Sequence, residues 1–262
     1  MSRRVIVTGA ARGIGAAVAR SLSEQGHHVA LVDVPDEVDI PGLRYSLATE
    51  ADLAATTAAC GAGAISLTAD VRDEHQITAA VATAIDAFGG LDAAVSAAGA
   101  IAGGAPVWET SPDVWQAMID INLGGTWNLA RAVVPHLLAH PMPRTGRFVA
   151  VASTAAEVGL PELGAYTVAK HGVAGLVRSL AADLAASGIT ANAVSPGSTD
   201  TDMLDATSQV YGLDSPADFA MHSRIERLLD PTEVAAAICW LCQPEASGIT
   251  GAIVAVDGGF TG

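Results

Sequence analysis

Apolar residues along this chain follow two periods in turn. Short runs rich in Val, Ile, Leu and Ala, at residues 3–7, 28–32, 64–69, 91–96, 147–152, 189–194 and 252–256, have the length and composition of strands. Between them lie longer stretches with helical spacing, at 16–25, 50–60, 73–88, about 111–139 and 162–187. Strand then helix, repeated, with glycines where strands end, predicts a parallel, doubly wound sheet with helices on both faces. Neither a linker nor a repeat beyond this unit interrupts the pattern, so residues 1–262 are expected to form one α/β domain.

One helix carries a flaw. Inside the stretch capped by Ser111 or Asp113 stands Asp120-Ile121-Asn122-Leu123-Gly124-Gly125, where each Gly costs about 1 kcal/mol relative to a good helix former. The spacing predicts a local kink there that frees a backbone carbonyl.

The first strand feeds Thr8-Gly9-Ala10-Ala11-Arg12-Gly13-Ile14-Gly15, and a helix follows. Strand, glycine turn and helix N-terminus together bring backbone N–H groups against a pyrophosphate, the Rossmann-like arrangement, although a turn of this kind can also be purely structural. Asp33 ends the second strand, where a carboxylate accepts hydrogen bonds from ribose hydroxyls and repels a 2′-phosphate; it favours NAD over NADP. Arg12 points the other way, since a guanidinium can pair with that phosphate. The acidic, proline-marked loop from Val34 through Pro35, Asp36, Glu37 and Asp39 to Leu43 leaves the same strand end and is expected to cover the adenosine half of a cofactor. Asp70 and Val71 follow the third strand, where a carboxylate can meet an adenine amino group. Ala98 and Gly99 follow the fourth, where small side chains allow a nucleotide close approach.

Composition narrows the function classes. A net charge of −15, from 13 basic and 28 acidic side chains, disfavours nucleic acid and anionic membrane surfaces as partners. No uncharged apolar stretch is long enough for a membrane span, and the first strand starts too early for a signal peptide, so a cytoplasmic protein is expected. The three cysteines do not suggest a disulfide framework. Cys239 and Cys242 sit in an apolar helical pattern without a second ligand pair; core packing is their expected role, and no metal site is expected.

The chemistry-bearing pair is Tyr166 and Lys170. Four residues apart on a helix, they share a face, and a neighbouring ammonium is expected to lower the phenol pKa from about 10, so that Tyr166 can exchange a proton with an alcohol or ketone. A solvated helix face would show the same two residues. Ser153 ends the fifth strand, at the edge where doubly wound sheets place ligands.

Taken together, Thr8–Gly15 as T-G-x-x-x-G-I-G, Asn122, Ser153, Tyr166 and Lys170 as Y-x-x-x-K, and Pro196-Gly197 after a strand resemble the short-chain dehydrogenase/reductases over essentially the whole chain. The resemblance implies that Ser153 hydrogen-bonds the substrate oxygen and Tyr166 moves its proton. Lys170 would tune Tyr166 and hold the nicotinamide ribose, and Asn122 would keep a relay water. It further implies that Gly9, Arg12, Gly13, Ile14, Gly15, Asp33, Asp70, Val71, Ala98, Gly99, Tyr166 and Lys170 line the cofactor site. Pro196, Gly197 and Thr199 or Thr201 would meet the carboxamide, and residues 199–230 would form a substrate lid. The family's N-N-A-G after the fourth strand is here Ser96-Ala97-Ala98-Gly99, which predicts lost bracing of the sheet. Relatives commonly bury the Asp257-Gly258-Gly259 end at a subunit contact, so a homotetramer or homodimer is expected.

The resemblance implies an NAD-dependent oxidoreductase acting on a secondary alcohol or ketone. The lid residues Met203, Leu204, Tyr211, Leu213, Phe219 and Met221 suggest a substrate with hydrocarbon surface, although such residues also simply pack a lid down. Glu157 is either a substrate contact or a solvated position. The loop after Asp33 and the run 193–199 also resemble dehydrogenases associated with mycofactocin, a peptide-derived redox carrier, which implies a retained NAD and an external redox partner. Two other readings stand beside these: a 3-oxoacyl-thioester reductase using NADPH, and a nucleotide-binding regulator that keeps the fold without catalysis.

Overall fold

Strand β1 (Arg4–Thr8) shows how the chain divides its core. Successive side chains of a strand point to opposite faces, so Val5 and Val7 enter one buried layer and Ile6 the other. The same split runs through β2 (His28–Asp33), β4 (Ala93–Ser96), β5 (Arg147–Val151) and β6 (Thr190–Pro196). With β3 (Ala64–Thr68) and β7 (Ile253–Val256) they form one seven-stranded parallel sheet, ordered β3-β2-β1-β4-β5-β6-β7. The structure, a computed structural model, describes residues 2–34 and 38–262.

Helices α1 (Gly13–Glu24), α2 (Glu50–Cys60) and α8 (Pro231–Leu241) cover one face, where Leu22, Leu53 and Ile238 are buried. On the other lie α3 (Glu74–Phe88), α5 (Gly125–Ala139) and α6 (Gly164–Asp183), through Ile77, Leu129 and Val173. Cys239 and Cys242 are buried in the first layer, and burial pushes both thiols up to about 12. Strand order reverses between β1 and β4, and the crevice at that switch point, outside the strands' C-terminal ends, is where ligands bind in such sheets.

The flawed helix is broken into α4 (Pro112–Met118), a π-helical turn over Ile119–Gly124, and α5. Asn122 fills the gap that the turn opens. Its amide donates to the carbonyls of Met118 and Ala100, both at 3.0 Å, and its Oδ1 accepts from the Ala100 N–H at 3.3 Å. Thr126 Oγ1 donates to the Asn122 carbonyl at 2.8 Å and accepts from Ser96 Oγ at 3.0 Å. The expected loss of bracing at 96–99 is thus corrected: a serine reaching a threonine ties β4 to the turn where longer amides were expected to be needed.

Two excursions leave the sheet. From the end of β2 the chain crosses the crevice before α2; Pro35, Asp36 and Glu37 of the expected loop lie outside the described residues. Between β6 and α8 runs a second excursion through α7 (Asp202–Val210) and a 3₁₀ turn over Pro216–His222. It closes on itself: Leu229 N–H donates to the Ser198 carbonyl and Asp200 N–H to the Leu229 carbonyl, both at 2.9 Å.

Thr126→Val keeps the volume but strands the Asn122 carbonyl and the Ser96 hydroxyl. We expect it to lose about 1–3 kcal/mol in urea unfolding; wild-type stability would show that the two bonds do not hold the turn.

Candidate active site

The glycine turn is built for close approach of backbone. Gly9 (φ +68°) has no room for a Cβ, which would lie 2.5 Å from the Ala98 nitrogen, and one at Gly15 would collide with the Gly9 carbonyl. No side chain caps the N-terminus of α1. Its free N–H groups and the positive end of the helix dipole are therefore left for an anion. This is the donor set that a dinucleotide's pyrophosphate requires.

At the end of β2, Asp33 accepts from the Ala11 N–H through Oδ2 and from the Val34 N–H through Oδ1, each at 2.8 Å. Burial pushes its carboxyl up, against the pull of those two amides. Arg12 is already engaged by the protein. It pairs with Asp202 of α7 at 2.8 Å, donates to the Ser46 carbonyl at 2.5 Å, and stands 5.8 Å over the Tyr45 ring. Asp70 lines the crevice, but Arg72 grips its carboxylate with contacts of 2.6–3.1 Å. An adenine amino group would therefore share Asp70 with a guanidinium.

The catalytic candidates converge from two elements. Ser153 leaves β5 in extended backbone, and its hydroxyl accepts from the Ala155 N–H at 3.1 Å; its side chain stands close enough to the Tyr166 phenol to lower that group's pKa. Lys170, one turn along α6, donates to the Val151 carbonyl at 2.9 Å and lies 5.6 Å from the Tyr166 ring. A Cβ on Gly99 would lie 2.9 Å from Asn122 Oδ1 and 3.6 Å from Lys170 Nζ.

Burial decides the electrostatics here. Tyr166 and Lys170 are only 6% and 5% exposed, and loss of water pushes the phenol up to about 12 and the ammonium down to about 8. The Ser153 hydrogen bond lowers the phenol pKa and nearby Tyr45 raises it. The expected depression of Tyr166 by Lys170 is corrected accordingly: desolvation raises the phenol pKa, and the ammonium is turned toward the Val151 carbonyl.

One cleft of about 1340 Å³ joins these groups. Pockets for a single drug-sized ligand hold roughly 300–1,000 Å³, so there is room for a dinucleotide with a second molecule. Gly9, Arg12, Gly13, Ile14, Gly15, Asp33, Asp70, Val71, Ala98, Gly99, Ser153, Tyr166, Lys170, Pro196, Gly197, Thr199 and Thr201 all line it. Asn122 does not. Its amide is committed to Ala100 and Met118, so its side chain positions the loop after β4. Glu157 is exposed and stands outside the cleft. The end 257–259 packs against the loop after β6 of its own chain: Gly197 N–H donates to the Val256 carbonyl at 3.1 Å, and a Gly197 Cβ would lie 2.8 Å from Asp257.

Sequence reasoning missed Tyr45. Its hydroxyl accepts from the Ile101 N–H at 3.2 Å, and it packs with Tyr166, Leu163 and Met203. The loop after β2 therefore reaches past the adenosine half to the catalytic end. An aromatic residue alone in a polar loop was the available signal.

Known proteins share both the sequence and this architecture. The family model described as enoyl-(acyl carrier protein) reductase matches residues 9–261. The chain belongs to the short-chain dehydrogenase/reductases. The (-)-trans-carveol dehydrogenase of Rhodococcus erythropolis is 38% identical, over 98% of this chain and 96% of that protein. The cis-4-hydroxycyclohexanecarboxylate dehydrogenase of Sinomonas cyclohexanicum is 39% identical, over 99% and 96%. Among solved structures, carveol dehydrogenase from Mycobacterium avium in complex with NAD superposes with a TM-score of 0.91 at 31% identity, covering 99% of each chain. As a short-chain dehydrogenase/reductase the chain is an oxidoreductase, and NAD is a cofactor that its cleft fits.

The Lys170 pKa falls on folding from 10.5 to about 8. Between those values the unfolded chain binds more protons, so this residue's contribution to stability rises with pH across that window. Lys170→Met is expected to resist urea better than wild type at pH 7, by about 1–3 kcal/mol. The difference should shrink as the pH passes 8, and a gap independent of pH would contradict the desolvated ammonium.

Proposed function

We propose that this short-chain dehydrogenase/reductase oxidises a secondary alcohol with an apolar body, or reduces the corresponding ketone, using NAD. The observation that carries this reading is the presence of Ser153, Tyr166 and Lys170 together in the wall of a cleft whose far end is an uncapped helix N-terminus beside Asp33. NAD, when bound, supplies the carbon that takes or gives the hydride. Ser153 holds the substrate oxygen, and Tyr166 gives that oxygen a proton in the reductive direction; in the oxidative direction it takes one as the phenolate, after its own proton has passed toward Lys170. Lys170, buried 5.6 Å from the Tyr166 ring with its pKa lowered by desolvation, is placed to pass a proton onward. Asn122 serves by holding Ala100, and through it the cleft wall, in place.

Asp33, already fixed by two amides, supports NAD over NADP. Arg12, the residue that would favour an NADPH-dependent 3-oxoacyl-thioester reductase, is committed to Asp202 and Ser46. The same contacts support a retained cofactor. Arg12 fastens the segment after β2 and the helix of the substrate excursion to the glycine turn, across the mouth where a nucleotide would leave. A retained NAD needs an external redox carrier to restore it, which fits the mycofactocin-associated resemblance. Residues 199–230 act as the substrate lid, and exposed Trp127, Val168 and Trp240 on three helices support a dimer or tetramer. No helix among the described residues is long and apolar enough to cross a membrane; action in the cytoplasm is part of this reading.

Tyr166→Phe should lower turnover of a secondary alcohol by about 10²–10⁴-fold while calorimetry shows nucleotide binding as in wild type; unchanged turnover removes the phenol as acid and base. Purified protein should hold NAD through dialysis, detected by mass spectrometry after denaturation, and Arg12→Ala should release it. Stoichiometric loss from the wild type would remove the support for a retained cofactor.

A further inference from the structure

The substrate half of the cleft is walled by Ile101, Leu160, Leu163, Met203, Leu213 and Phe219. Two of its hydroxyl groups away from Ser153 and Tyr166 are taken up by the protein: Tyr211 donates to the Pro161 carbonyl at 2.7 Å and Thr207 to the Met203 carbonyl at 2.7 Å. The guanidinium and ammonium groups that line the cleft are those of Arg12, Arg20, Arg72 and Lys170. Arg12 is paired with Asp202, Arg72 with Asp70, Lys170 is held by Val151, and Arg20 donates to Thr56 on the α1–α2 side. Arg224, within the lid segment but outside the cleft lining, donates instead to the C-terminal Gly262 carbonyl. The imidazole of His222 is exposed at the outer end, stacked on Phe260. Asp218, on the lid, brings a carboxylate to the same wall, itself exposed and accepting from the Ser215 N–H at 3.3 Å.

From this distribution we infer that the enzyme selects an uncharged alcohol by shape, and rejects an otherwise matching alcohol whose ring carries a carboxylate or an ammonium. The inference rests on the alcohol-dehydrogenase reading of the site and specifies its substrate class. A carboxylate entering this half would lose its water, find no cation within the wall, and face Asp218 on a protein already at −15. An ammonium would find no buried carboxylate to replace its hydration, because Asp218 is exposed and caps its own turn. A neutral alicyclic or terpenoid body loses only apolar surface to the wall, which is favourable. The two curated relatives described above act, by their names, on a neutral terpene alcohol and on a hydroxy acid; the wall sides with the first.

Four alcohols on one ring test this: cyclohexanol, 4-hydroxycyclohexanecarboxylate, its methyl ester and 4-aminocyclohexanol, each assayed with the wild-type protein and an artificial electron acceptor. The expected result is that cyclohexanol and the ester are oxidised, while the carboxylate and the amine fall on the order of 100-fold or more in kcat/KM below the ester. Comparable values for the ester and either charged alcohol would overturn the inference. So would equal rejection of ester and carboxylate, since bulk and not charge would then decide. Failure to oxidise any of the four, or carveol, would instead sink the reading of the site on which the inference rests.

Discussion

A lysine ammonium held out of water by a single carbonyl is the constraint around which this structure is arranged. Lys170 is buried to 5% exposure and donates to Val151, and the loss of hydration that lowers its pKa also raises that of Tyr166. Neither residue would keep this environment on an open helix face. The sheet edge supplies Val151 and Ser153 from one strand end, α6 supplies the pair, and the Asn122 turn holds the Gly99-Ala100 loop against them. A buried, unpaired charge is a poor way to stabilise a fold. Its presence at the one place where a phenol, a serine and a nucleotide cleft meet is what separates a working site from a decorated surface.

Around that fixed centre the protein builds its cleft from two excursions on opposite sides of the crevice. The segment after β2 brings Tyr45 to Ile101, and the segment after β6 brings α7 over Gly13, where Thr201 stands within 3.4 Å of the position a Cβ would take. Arg12 lies where the two meet. Its bonds to Ser46 and Asp202 tie the glycine turn to the segment after β2 and to α7.

The paired carboxylates and hydroxyls tell the same story at smaller scale. Ser96 and Thr126 tie β4 to the π-helical turn with two short bonds, so a departure from the family pattern that looked like a loss is a substitution of parts. Asp70 illustrates the reverse: a residue in the expected place whose carboxylate is already shared with Arg72.

What the sequence by itself determined is whatever depends on near neighbours. Period-two and period-3.6 patterns placed the strands and helices, the glycines marked the turn at Gly9–Gly15, and the four-residue spacing put Tyr166 and Lys170 on one face. The glycine pair after Asn122 was enough to foresee a break in the helix, because the cost of glycine there is local. Only the tertiary structure decided the protonation of Tyr166, the commitment of Asn122 to Ala100, the place of Tyr45 and the partner of Arg12, which stands 190 residues along the chain. The reason is physical: pKa values follow burial, and hydrogen-bonding groups take whichever partner folding brings within reach. Neither burial nor reach is a property of spacing along the chain.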